Sequence, residues 1–384
     1  MCLYPKLIIN PKYKPNKKNG YNAPAIQDNR TLYVPIGCQK CMECRSQKAN
    51  QWRVRLQEEI RESKLARSFM TFTFSNEAIR DLTRAIAEEN EGEIPDGYDL
   101  DNAIASMAVR RFTERWRKKY GTTVRHWLVT ELGQGKHWKY QGTENLHLHG
   151  FIFCEKEQIE DIRDKWQYGF VYRGEYVNEK SINYMIKYVT KIDTLHPNYQ
   201  SKIYCSNGIG ANYLNRIDAK KNAYQKGKTK ETYTTTRGSQ INLPIYYRNK
   251  IYSESQREAL WIEKLDKKER WVDKQRISIA HGYEAYDMAI RYARMKNKRL
   301  GYGGEQTLEE QQDYERTRRN LLNKKRRDIA NIQSPQNQTL ARHRQRETNK
   351  QSSKLTKWIQ AMANRHGNDS NNSTNANATR MHNN

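Results

Sequence analysis

His147 and His149 stand one residue apart in LHLHGFIF, residues 146–153. On a strand, side chains alternate between faces, so both imidazoles point one way while Leu148 turns into the core with Ile152. Two close imidazoles on one face can bind a divalent cation, although an isolated pair of this kind is more often structural. Glu131 stands in the apolar run HWLVTEL, 126–132. Burying a carboxylate is costly unless it is paired or metal-bound. If strands 126–132 and 146–153 pair, Glu131 can sit beside the histidines as a third ligand. A solvated strand end is the plain alternative, and Gln134 and His137 compete for the ligand role. Gly150 lets a substrate or a neighbouring backbone come close.

A second chemical cluster lies in SINYMIKYVTKI, 181–192. Tyr184, Lys187, Tyr188 and Lys191 fall at i, i+3, i+4 and i+7 and form one helical stripe, with Ile182, Met185, Ile186 and Val189 on the opposite side. The apolar stripe can pack on a sheet while the Tyr/Lys stripe lines a cleft. A tyrosine is a poor nucleophile at its free pKa near ~10. Adjacent ammonium groups favour the phenolate and steady a phosphate. With a metal as Lewis acid, these parts suit attack on a phosphodiester. Tyr184 and Tyr188 are the candidate nucleophiles, with Lys187 and Lys191 assisting.

The third cluster is CQKCMEC, in which Cys38, Cys41 and Cys44 are evenly spaced at a helix start. Three thiolates can hold one tetrahedral zinc, with Cys2 as a candidate fourth ligand. Three unconnected thiols and an iron–sulfur cluster are the alternatives. Cys154 and Cys205 read as residues of the fold.

The elements that must position these groups follow from periodicity. A long polar helix spans about 39–64, with Trp52, Leu56 and Ile60 (also Val54) as its apolar stripe and Gln57, Glu58 and Glu59 solvated. SFMTFTF, 68–74, is a strand, and Ser75 with Asn76 can cap the following helix. Residues 90–101 form an acidic loop and 102–119 a helix. Strands follow at 126–132 and 146–153, the latter central, then a helix at 156–166, a strand or hairpin in FVYRGEYV and the helix 181–192. Helices should cover one face of the sheet. The expected fold class is α+β, an antiparallel sheet with a split βαβ, ferredoxin-like core.

The expected organisation is an N-terminal Cys segment at 1–65, loops and short strands leading into its helix, then a core at 66–195, an extension at 196–300 with a helix near 254–275, and a basic, largely disordered tail at 301–384. The Asn-rich end of the chain cannot bury enough apolar area to fold alone, beyond a short helix near SKLTKWIQAMANR.

Lys and Arg number 69 against 43 Asp and Glu, a net charge of +26. That excess favours a polyanionic partner, nucleic acid first and an anionic membrane surface second. Basic and aromatic residues interleave in IYYRNKIY, YGFVYRGEY and NAYQKGKTKETYTTTR, which suits single strands. No apolar run approaches the ~20 residues of a membrane span, and no secretory signal is visible. The cysteine spacing suggests a reducing compartment.

These segments resemble the HUH endonucleases, where U is a hydrophobic residue, and most closely the replication initiators of microviruses in the gokushovirus-like branch. FMTFTF, HLHGFIF, YMIKYVTK and GCQKCMECRSQKANQWRVRLQEEI carry the resemblance, joined by YCSNGIGANYL and LPIYYRNKIY, across roughly residues 1–275. The resemblance implies an HUH core, Mg or Mn held by His147, His149 and Glu131, and rolling-circle replication. In it one tyrosine nicks single-stranded origin DNA, keeps the 5′-phosphate and frees a 3′-hydroxyl, and the other closes the displaced circle. It implies host polymerase and helicase partners in the bacterial cytoplasm. A relaxase or transposase of the same class shares the chemistry. A non-enzymatic, zinc-stabilised single-strand binder fits the charge and cysteines but leaves the His pair and Tyr/Lys stripe unexplained. Amidohydrolase barrels need a longer strand–helix alternation, and histidine-triad hydrolases need a histidine where Phe151 stands.

Overall fold

The computed structural model describes residues 2–134, 143–174, 177–236, 238–304 and 309–333. Two compact units are separated, Met1–Leu322 and Asn323–Asn384. The first carries every group with candidate chemistry.

A short hairpin, β1 (Lys6–Ile9) with β2 (Tyr33–Ile36), precedes α1 (Met42–Glu62). Then come β3 (Ala66–Thr73), α2 (Asn76–Glu89), α3 (Gly97–Tyr120), β4 (Arg125–Leu132), β5 (Leu146–Cys154), α4 (Asp161–Trp166), β6 (Val171–Gly174) and α5 (Glu179–Thr190). After these run β7 (Ile203–Cys205), α6 (Ile217–Lys220), β8 (Thr232–Thr234), β9 (Gln240–Asn242), α7 (Ile245–Ile251) and α8 (Glu254–Asp266). The hairpin β10 (Glu269–Val272) and β11 (Gln275–Ser278), α9 (Glu284–Arg299) and α10 (Glu309–Gln333) follow.

The architecture is α+β. The main sheet is five-stranded, in the order β6-β3-β5-β4-β7, with every neighbouring pair antiparallel. β5 is central, as its apolar composition predicts. Ser75 caps α2 by accepting from Ala78 N–H.

Alternation on the strands builds two cores. Met70, Phe72, Leu128, Leu148 and Ile152 face α2, α3 and α4. Trp127, Val129, Phe151 and Phe153 face Ala49 and Leu56 of α1 and the apolar stripe of α5. Helices therefore cover both faces, not one, because the strands carry large apolar residues at even and odd positions alike.

Further expectations are corrected. Glu58 and Glu59 are 0% and 2% exposed rather than solvated. α1 is gripped on its outer side by the segment around Tyr213, Tyr233 and Tyr247, which packs on Val54. Glu58 there accepts from Arg216 and from Tyr233 Oη, while Glu59 pairs with Arg125. The acidic loop is shorter than 90–101, since α3 starts at Gly97 and buries Asp101 against Arg319 at 2.7 Å. The helix near 254–275 stops at Asp266. Asp273 and Lys274 then take positive φ and turn the chain into the β10–β11 hairpin. The 156–166 segment divides into a 3-10 turn, Lys156–Gln158, and α4. The supposedly disordered 301–384 tail contains α10, and its helix near SKLTKWIQAMANR lies outside the described residues.

Candidate active site and cysteine cluster

Strand register brings the candidate ligands together. Glu131 on β4 lies directly opposite His147 on β5, and His149 lies opposite Val129 on one side and Thr71 on the other. His147 Nε2 and His149 Nε2 stand 3.2 and 3.0 Å from the same carboxylate oxygen, Glu131 Oε2. Gln134 follows the end of β4, and His137 lies outside the described residues.

The far side of each imidazole is fixed as well. His147 Nδ1 is 2.9 Å from the Asn145 carbonyl, and His149 Nδ1 is 2.9 Å from Thr71 Oγ1. A ring that donates Nδ1–H to a carbonyl leaves an Nε2 lone pair turned outward. That lone pair faces a carboxylate oxygen, so a proton or a cation must lie between them. Burial pushes the His149 pKa down and thereby disfavours its protonated form. Burial also opposes charge on Glu131, but hydrogen bonds from His147, His149 and Lys191 outweigh it and hold the carboxyl well below its usual range. An ionised carboxylate converging with two outward Nε2 atoms is a donor set that can bind a divalent metal.

Thr71 was not singled out in the sequence. Its signal was available, because FMTFTF places Thr71 and Thr73 on the same face as the histidines once β3 pairs with β5.

α5 begins at Asn178, whose side chain accepts from Lys180 and Ser181 N–H. Its apolar stripe is buried, with Ile182 and Met185 at 0% exposure. The opposite stripe covers the histidines. The Tyr188 ring stacks on His149 with centroids 4.6 Å apart. Its hydroxyl is 2.7 Å from that of Tyr184, which is 48% exposed. Burial, then the Tyr184 hydrogen bond, raises the Tyr188 pKa. Lys187 is exposed, with Nζ 5.8 Å from the Tyr184 ring centre. Lys191 lies just past the helix end, and its Nζ is 2.5 Å from Glu131 Oε1.

Cys2, Cys38, Cys41 and Cys44 converge at the start of α1, with their sulfurs all within 4.8 Å of one another. Four sulfurs placed about 2.3 Å from one zinc would have edges of about 3.8 Å. Cys2 Sγ and Cys41 Sγ are 3.9 Å apart. Backbone N–H groups of Tyr4 and Cys38 point at Cys2 Sγ, and that of Cys41 points at Cys38 Sγ. The donor set can hold zinc. Around it pack Leu3, Val272 of β10 and Ala293 of α9, so the cluster joins the N-terminus to elements near residue 290.

A domain that sets an acid–His–His centre beneath a two-tyrosine helix belongs with proteins that act on nucleic acid. Residues 67–193, from β3 to just beyond α5, match the replication-associated protein ORF2 family, and through this segment the chain belongs with the replication initiators of small single-stranded DNA viruses. DNA binding follows from that family. No curated protein and no solved structure matches the chain. Among the described residues, no helix is long and apolar enough to cross a membrane.

Proposed function

We propose that this replication initiator is a metal-dependent endonuclease of the HUH class, which nicks single-stranded origin DNA and keeps it on a tyrosine. One observation carries the reading: Glu131, His147 and His149 converge directly beneath Tyr188, which is hydrogen-bonded to Tyr184. The strand order supports a split βαβ, ferredoxin-like core at about 66–195, since β3 and β4 flank β5, each antiparallel to it.

Glu131, His147 and His149 hold Mg or Mn, which when bound supplies Lewis acidity at the scissile phosphate. The tyrosine oxygen forms a bond to phosphorus as the bond to the 3′-oxygen breaks. The phenol loses its proton and the departing 3′-oxygen gains one. Burial keeps Tyr188 protonated at rest. Its nearest proton partner is the Tyr184 hydroxyl, and Lys187 and Lys191 bring positive charge to both rings. The linkage conserves bond energy, so a second tyrosine can reverse the step and close the circle. The chain would serve a microvirus in the host bacterial cytoplasm, where host polymerase and helicase extend the free 3′-end. The cysteine cluster is assigned to structural zinc.

The test mixes the protein with labelled single strands tiled across its source genome, with Mn²⁺ or EDTA, on denaturing gels. The expected product is a protein-linked band that needs metal and disappears in the Tyr184→Phe/Tyr188→Phe double variant. Tight binding with no band on any tile would instead mark a non-enzymatic single-strand binder.

A further inference from the structure

A cavity of about 290 Å³ lies beside the candidate centre, between the start of α1, the exit from α5 and the chain at 301–303. Glu131, Tyr188 and Lys191 line its wall on the centre's side, and Arg45, Lys48 and Tyr302 line the rest. Arg45 and Lys48 are three residues apart on α1, so they project together. The cysteine cluster anchors the turn just before them.

Among the described residues, no carboxylate pairs with these two cations. Arg45 Nη1 donates to the Lys191 carbonyl at 2.6 Å, while its Nε is buried without a partner. Lys48 is half-buried, and burial and the nearby Arg45 guanidinium both push its pKa down, with no carboxylate acting the other way. The cavity's acids are already engaged. Glu131 pairs with Lys191 and the two histidines, and Asp193 pairs with His196 at 2.7 Å. Adjacent buried cations facing an open, water-sized space repel each other and lose hydration, a cost that an anion seated between them removes.

We propose that this cavity is an anion subsite in which Arg45 and Lys48 hold a second phosphate of the DNA strand, next to the one cleaved. The identity of the anion rests on the nuclease reading. The cationic pair itself does not. The cavity shares Tyr188, Glu131 and Lys191 with the centre, so a strand crossing the histidines can place a neighbouring phosphate there. The subsite would fix the strand's register against the tyrosines. It would also give the cysteine cluster a role, since the cluster sets where α1 begins.

The test is Lys48→Met, which keeps the apolar stem and drops the charge. Binding of a labelled oligothymidylate is followed by fluorescence anisotropy in EDTA, across a salt series. Losing one phosphate contact should weaken binding about tenfold at low salt and lower the slope of log K against log salt by about 0.7. Lys48→Arg should restore both. Equal affinity and slope in wild type and a folded Lys48→Met, with adduct formation intact, would overturn the subsite and leave the nuclease reading standing. Weakened binding with no adduct from wild type would do the reverse. A wild-type chain that binds no single strand would overturn both. Inorganic phosphate separates the two sources of anion. If it raises the melting temperature of wild type and not of Lys48→Met while oligonucleotide binding stays alike, the cavity holds free phosphate and the assignment to the strand fails.

Discussion

Lys191 sits where it must compete with any cation bound at the centre. Its Nζ is 2.5 Å from Glu131 Oε1, while the two histidines face Oε2. A metal held by Glu131, His147 and His149 has to share that carboxylate with the ammonium. Two unit charges about 4 Å apart interact by about 1 kcal/mol in water and about 4 kcal/mol at an effective dielectric of about 20. The Lys191 side chain is 40% exposed, which places the pair at the weak end, about 1 kcal/mol. Lys191→Met should therefore bind Mn²⁺ about fivefold more tightly than wild type, since about 1.4 kcal/mol corresponds to tenfold. Its nicking rate should fall, because the same charge is lost from beside Tyr188. Lys187→Met is the control. It stands near the Tyr184 ring and outside hydrogen-bonding reach of Glu131, so its Mn²⁺ affinity should match wild type. Titration by electron paramagnetic resonance gives the affinities and the adduct gel gives the rates. Unchanged or weaker Mn²⁺ binding in Lys191→Met would refute the idea that the ammonium contends for the carboxylate.

Gly150→Ala should uncouple the two ligand-bearing strands. An added Cβ would lie 2.0 Å from the Trp127 carbonyl oxygen and 2.7 Å from Leu128 Cα, so β4 must move away, at a cost of about 3 kcal/mol or more. A lower urea midpoint together with lost Mn²⁺ binding is the expected result. Glu58→Leu leaves Arg216 and the buried Tyr233 hydroxyl without their acceptor, and breaking such a buried pair costs about 3–5 kcal/mol. A midpoint like that of wild type would show that α1 is not tied to the extension through this carboxylate. His196 gives the stability a pH dependence. Burial works to lower its pKa, but bonds to Asp193 and Glu144 more than offset it and leave the pKa raised. Its contribution is thus fully present below about pH 6.5, the unfolded value, and is lost as pH rises through the folded value. His196→Asn should lack that part of the decline in denaturation profiles.

The parts of the site that were legible in the sequence are those with local periodicity. Alternation in LHLHGFIF put both histidines on one face and Leu148 on the other, and helical spacing separated the Tyr/Lys stripe from Ile182, Met185, Ile186 and Val189. The position of Glu131 needed strand pairing as well, and the register supplied it directly opposite His147. Contacts made across long separations left no local trace. Glu58 and Glu59 read as a solvated helix face because their partners, Arg216, Tyr233 and Arg125, lie far along the chain. The β10–β11 turn uses Asp273 and Lys274 at positive φ, without the glycine or asparagine that normally marks such a turn. Asp101 seemed to belong to a loop because its bidentate partner, Arg319, comes from a segment whose composition suggested disorder.

The two-sided sheet explains why a polar centre can form in so apolar a strand. The face of β5 toward α2, α3 and α4 is apolar along its whole length, from Leu146 and Leu148 to Ile152 and Cys154. The other face changes character midway. Phe151 and Phe153 are sealed by α1 and α5, whereas His147 and His149 lie under the tyrosine stripe. α5 therefore serves both the core and the site, and its apolar side fixes the height at which Tyr188 meets His149. Second supports hold the polar end as tightly as packing holds the other: Thr71 and the Asn145 carbonyl orient the rings, and Lys191 anchors Glu131. Such a centre has its donor atoms aligned before a cation arrives, so little ordering entropy remains to be lost on binding.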